Sequence, residues 1–354
     1  MQQEKQFFPA LTGYRAIAAW MIFVYHFMPF ESGRYNAFVK KIIYEFHIGV
    51  TLFFVLSGFL ITYRYYHQNP INIKKYLINR FARIYPMYFL LTAGVFFLWY
   101  LQNDRWSIQK TIEMILSFSM TKALFSKYFL AGIPQGWTLT LEEMFYFSAP
   151  LFFLLIRKNK MFFFIIPILI FLLGTFIKIV FSETNNVWGV MQVNISLNIF
   201  EFFSGIALAF IVMKSKVNSK NGFYTYWGVF FLAFYLCVKQ FLFKNIDVKN
   251  DFVKAFLVII PPILGIVPFL YGLIHEKTII QKILSNKWMV LLGKSSYIFY
   301  LIHKGFIPVF INDYISDNKL VIFILLNIIS IFMFTYLEEP INHFIRNKFG
   351  KSKT

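Results

Sequence analysis

Ten stretches of about 20 predominantly apolar residues recur along the chain, at 11–30, 46–66, 84–101, 137–156, 161–181, 197–213, 223–243, 254–274, 289–311 and 319–337. That is the length an α-helix needs to cross bilayer hydrocarbon, where an isolated segment can satisfy its backbone hydrogen bonds only as a helix. The chain is therefore expected to be all-α, a polytopic membrane protein of about ten transmembrane helices. Composition agrees. Charged residues are 14% of the chain, where a soluble domain carries about 25%, and mean hydropathy is +0.60. A water-soluble fold of this size would have to expose apolar surface it has no means of covering.

The formal net charge is +19. In a soluble protein such an excess points to nucleic acid. Here the Lys and Arg residues occupy short polar gaps between apolar runs, the pattern of a positive-inside bias with contact to anionic lipid. No nucleic-acid partner is expected. Placing the N-terminus inside gathers Lys74, Lys75, Arg80 and Arg83 in one inner loop. Arg157, Lys158 and Lys160, the segments 214–220 and 277–287, and the end of the chain fall on the same side. Arg34, Lys40, Lys41 and the basic residues between 105 and 127 fall outside, and the 182–196 loop carries no positive charge. Both termini are expected to be cytoplasmic, with a membrane domain over 1–340 and a basic tail over 341–354. No soluble extension large enough to be a domain and no internal repeat is evident. The first apolar run contains Arg15 and His26 and lacks a small-residue cleavage site, so it does not read as a signal peptide. Cys237 is the single cysteine, which excludes an internal disulfide and cysteine-rich metal sites. No metal-ligand spacing, phosphate-cradling glycine loop or nucleophile elbow is present.

The segment 102–136 is polar to mixed. Ile108, Ile112, Ile115 and Leu116 recur at helical spacing beside Lys110 and Glu113, which predicts a helix lying along the interface. A re-entrant segment covering an acceptor site is the other reading.

Ionisable residues inside membrane spans are costly unless paired or wet, and so carry functional information. Arg15 and His26 are eleven residues apart, almost three turns, so they share one face and differ in depth by about 16 Å. The structural explanation is that each snorkels to its nearer headgroup layer. Glu142 and Glu143 are adjacent acids about one turn into the fourth span. They point about 100° apart, so at most one faces a given partner. With the N-terminus inside, Glu142 is expected in the outer third, at the depth of His26, where a carboxylate and a histidine can make a general-base pair. Arg80 and Arg83 are helical neighbours at the inner mouth. They are either an ordinary cytoplasmic cap or a clamp for a phosphate-rich ligand, with Arg15 nearby. Ser57 is explained by helix packing, and His303 by a substrate contact or by a hydrogen bond across the bundle. Glu338, Glu339 and Pro340 read as a helix stop. Phosphate-binding groups at the inner mouth and a base near the outer surface suit an enzyme with a cytoplasmic nucleotide-linked donor. They equally suit a transporter of an anionic carrier.

Several segments, in order along nearly the whole chain, resemble the membrane-bound acyltransferase 3 family. LTGYRAIAAWMIFVYH resembles its opening Arg-x10-His helix, and FFVLSGFLIT its second-span signature. RFARIYPMY resembles its Arg-x-x-Arg segment, and WTLTLEEMFYF its Trp-Ser-Leu-x-x-Glu pattern, which aligns the family glutamate with Glu142. SYIFYLIH resembles the late Ser-Tyr-x-x-Tyr-Leu-x-His motif, which contains Tyr300 and His303, and EEP the closing Glu-x-Pro. Thr138 stands where many members have serine and keeps the hydroxyl. The resemblance implies a multi-pass enzyme of the cytoplasmic membrane that takes an acyl group from cytoplasmic acyl-CoA and needs no metal or other cofactor. The acceptor would be a cell-surface or lipid-linked glycan outside. It implies functional roles for Arg15, His26, Arg80, Arg83 and Glu142.

The expected activity is O-acyl transfer, most simply acetyl, to a polysaccharide hydroxyl. His26 supported by Glu142 would be the base, Arg15, Arg80 and Arg83 would hold the donor, and Trp137, Tyr300 and His303 would line the acceptor pocket. A transporter or flippase for a polysaccharide or lipid-linked glycan is the alternative.

Overall fold

The computed structural model describes residues 6–27, 37–103, 105–181, 189–215, 221–242, 256–257 and 259–350. Arg34 and the last four residues of the basic tail lie outside them. The described residues are helical, without a β-strand. In chain order the helices are α1 (Pro9–Phe27), α2 (Ala37–Tyr44), α3 (Ile48–Tyr65), α4 (Ile73–Gln102), α5 (Ile108–Phe118), α6 (Trp137–Lys158), α7 (Phe162–Phe181), α8 (Gly189–Lys214) and α9 (Phe223–Leu242). These are followed by α10 (Val267–His275), α11 (Ile279–Leu284), α12 (Lys287–Ile302), α13 (Phe306–Tyr314), α14 (Lys319–Met333) and α15 (Glu339–Phe349). Wider π-turns lead into α10 at Pro261–Ile266 and join α14 to α15 at Phe334–Glu338.

Among the described residues, five helical runs are long and apolar enough to cross a membrane: Phe38–Tyr65, Ile73–Gln102, Pro134–Lys158, Ser196–Lys214 and Lys319–Phe349. Phe162–Ile177, Phe223–Lys239 and Pro261–His275 are apolar but shorter. Residues 189–196, expected in an outer loop, begin α8 instead. The expected single span 289–311 is interrupted between α12 and α13, where Gly305 takes φ +115°, a conformation that favours glycine.

The chain divides into two compact units. Unit 1 comprises Met1–His67 and Leu197–Ser296, and unit 2 comprises Gln68–Ser196 and Tyr297–Thr354. In unit 1, α3 and α8 approach backbone to backbone. A Cβ at Gly58 would fall on the carbonyl of Phe202, and one at Gly205 on the carbonyl of Val55. One turn before Val55 and Gly205, Thr51 Oγ1 donates to Glu201 Oε1 at 2.8 Å, and Asn198 Nδ2 donates to Glu201 Oε2 at 2.8 Å. Small residues that let helices close, with a buried polar contact beside them, are the usual means of holding helices together in lipid.

In unit 2, α4 is 30 residues long, about 45 Å at 1.5 Å per residue. Asn72 caps its start by accepting the backbone N–H of Lys75 at 2.9 Å. α5 forms where its helical spacing predicts, and it is held to α4 by Lys110. The Lys110 ammonium lies 4.5 Å from the Trp99 ring and 2.6 Å from Glu113. The chain after α5 then turns back along α4. Gly132 lies beside Phe96 and Gly136 beside Tyr88, so α6 starts half-way along α4. Buried Lys122 fixes this return through the carbonyls of Ala131 and Ile133. α6 runs antiparallel to α4 from there, and the Tyr76 hydroxyl donates to the Tyr146 carbonyl at 2.7 Å.

Candidate functional site

Unit 2 carries a half-open cavity of about 1320 Å³, larger than the ~300–1,000 Å³ usual for small-ligand pockets. Lys74 and Lys75, exposed on the first turn of α4, and Lys348, exposed on the last turn of α15, stand at its rim. Arg80 lies further along α4, with its guanidinium 5.4 Å from the Tyr146 ring centre. Phe81, Tyr85, Phe147 and Phe349 supply apolar wall, and Thr140 and Glu143 face it from α6. Arg80 is among the lining residues and Arg83 is not, so of the two expected clamp arginines this cavity holds one. Residues 341–350, expected in a tail, are helical as far as Phe349, and α15 packs on α4.

The acid pair and the Arg80 segment lie near one another. Glu143 shares the cavity with Arg80, and Tyr146, one turn beyond Glu142, lies against Tyr76 and Arg80. The cause is the return of 119–136 along α4, which starts α6 beside Tyr88 rather than at the far end of α4. The Tyr146 hydroxyl donates to Glu142 Oε1, which fixes one carboxylate oxygen of the family-pattern glutamate.

A second polar cluster lies where α12 ends. The buried Gln135 amide donates to the carbonyls of Leu301 and Lys304, the latter at 3.3 Å, and so satisfies backbone groups freed by the helix break. The Tyr300 hydroxyl donates to the Gln135 carbonyl at 3.1 Å and lies 2.8 Å from Thr138 Oγ1. His303 is fully buried, with Nδ1 at 2.6 Å from the Tyr300 carbonyl. A carbonyl only accepts, so Nδ1 carries the hydrogen and, in the neutral ring, Nε2 is left as the acceptor. Trp137, half-buried at the start of α6, stacks on Phe129 with 5.2 Å between centroids. The structure thus brings Tyr300, His303 and Thr138 together through Gln135, which no sequence pattern singled out.

Arg15 and His26 belong to unit 1, on α1. The Arg15 guanidinium lies 6.0 Å from the Phe53 ring centre. His26, in the last turn, is exposed, with its ring 4.8 Å from that of Tyr25. Glu201, in the same unit, is a buried carboxylate within an apolar span, the signal by which Glu142 was recognised. Lys122 and Thr140 carried no comparable signal. Among the described residues, no group of three or more His, Cys, Asp or Glu side chains has the geometry to hold a metal ion.

The acyltransferase domain family matches residues 8–337. Among characterised sequences, O-acetyltransferase OatA of Staphylococcus aureus strain NCTC 8325 / PS 47 and that of strain COL are each 25% identical to the chain over 379 residues. The alignment covers 98% of this chain but 58% of theirs, so the chain spans little more than half the length of these relatives. No solved structure matches it.

Proposed function

The chain belongs to the acyltransferase domain family, and from that premise we propose that it is a membrane O-acetyltransferase. It takes the acetyl group from acetyl-CoA on the cytoplasmic side of the cell membrane and delivers it to a hydroxyl of a cell-surface or lipid-linked glycan. The observation that carries this reading is the unit 2 cavity. Its cationic rim, Arg80 and apolar walls suit a ligand that joins phosphates to a long uncharged arm. The naming of the relatives as O-acetyltransferases supports the choice of acyl group.

In this reading the acceptor hydroxyl oxygen attacks the thioester carbonyl carbon. His26 takes the hydroxyl proton, the carbon–sulfur bond breaks, and CoA leaves as a thiolate that is then protonated. Arg80 contacts the donor in the cavity, where guanidinium suits a phosphate because it binds in a bidentate way, while Arg15 and Arg83, which do not line it, guide the donor. Trp137, Tyr300 and His303 serve the acceptor.

Membranes holding the protein, given acetyl-CoA labelled in its acetyl group and glycan from a host lacking the gene, are expected to label the glycan. His26→Ala is expected to lose at least about a hundredfold in rate, the usual range for removing a general base. Glycan left unlabelled by wild-type membranes, or labelled equally by His26→Ala, would overturn the reading.

A further inference from the structure

The unit 2 cavity differs at its two ends. Its rim carries Lys74, Lys75 and Lys348, all exposed and all cationic. Arg80 lies six residues beyond Lys74, about 9 Å along α4. α6 passes in the opposite direction, with Gly136 against Tyr88 and Tyr146 against Tyr76. Thr140, between those contacts, therefore lies further in than Arg80. It is 2% exposed and lines the cavity, and its Oγ1 has no hydrogen-bond partner among the described residues. A buried hydroxyl with no acceptor is unfavourable unless a ligand or water meets it.

We infer that this cavity holds the donor in one direction only, with its nucleotide phosphates among Lys74, Lys75 and Lys348 and its thioester carbonyl at the Thr140 hydroxyl. The inference rests on the acyl-CoA reading above and adds its polarity. α15 then becomes a wall of the donor site, and Lys348 sets preference for a donor with the ribose phosphate. Thr140 donates a hydrogen bond to the carbonyl oxygen, where negative charge builds as the acceptor attacks. The same lysines offer phosphate chemistry to a lipid headgroup, and the experiment separates the two sources.

The full-length protein is placed in nanodiscs of phosphatidylcholine alone or with phosphatidylglycerol. Binding of CoA and 3′-dephospho-CoA is measured for wild type and Lys348→Gln. The wild type is expected to prefer CoA about tenfold in both lipids, the effect of one charge-assisted phosphate contact. Lys348→Gln is expected to lose most of that preference. Thr140→Val is expected to lower kcat for acetyl transfer about tenfold with CoA affinity kept, and Thr140→Ser to restore it. Unaltered preference in Lys348→Gln, or a Thr140→Val defect confined to KM, would overturn the orientation while leaving the acyl-CoA reading intact. Loss of phosphatidylglycerol-dependent stabilisation in Lys348→Gln, with CoA preference unaltered, would assign the lysines to lipid. Wild type that binds no CoA in either lipid would remove both readings.

Discussion

Lys122 is fully buried, and its ammonium donates to the carbonyls of Ala131 and Ile133. Burial pushes its pKa down from 10.5 to about 7. Between those values the unfolded chain binds a proton that the folded chain does not, so stability rises with pH across that window. Thermal melting of the purified protein is expected to shift upward from about pH 7 to about pH 10, and Lys122→Met is expected to flatten the rise. Equal slopes in the two proteins would remove Lys122 as the cause. No sequence pattern announces this residue, because its partners are backbone carbonyls nine and eleven positions away. Glu142, Tyr300 and His303 drew attention in the sequence because they stand in motifs of fixed spacing. Gln135 was not, since what it satisfies is a break in a helix 166 residues later.

Among the elements, hydropathy located the apolar helices well and their interruptions poorly. The run 289–311 carries the polar triplet His303–Lys304–Gly305 between two apolar stretches, and their combined length read as one span although the triplet marks the break that Gly305 permits. The start of α6 beside Tyr88 is likewise invisible to hydropathy, because spacing along the chain does not record that 119–136 doubles back along α4. The crossing of α3 and α8 depends on what is missing from two positions, the Cβ atoms of Gly58 and Gly205. Gly205→Ala is expected to destabilise the protein by about 2 kcal/mol, within the range for overpacking a closed contact. Melting of the detergent-solubilised protein reads it, and an unshifted melt would show that α8 can move away at little cost.

At the scale of the whole molecule, the formal net charge of +19 sets the response to lipid. Juxtamembrane Lys and Arg are each worth about 1 kcal/mol near an anionic surface, an attraction that salt screens. The melting temperature is expected to be higher in phosphatidylglycerol than in phosphatidylcholine nanodiscs, with the gap closing from about 0.05 to about 1 M salt, as the screening length falls to ~3 Å. A gap that salt leaves untouched would point to packing by the lipid chains instead.

The pairing of Thr51 with Glu201 has a consequence in time. The two residues are 150 positions apart, and unit 1 is built from two stretches of chain with a stretch of unit 2 between them. At about 5–20 residues per second of synthesis, α3 emerges roughly 8 to 30 seconds before α8. Throughout that interval the glycine face of α3 must be sheltered by lipid or by the insertion machinery. The polypeptide is thus most vulnerable to proteolytic quality control while still on the ribosome, and slow codons between residues 68 and 196 would lengthen that exposure.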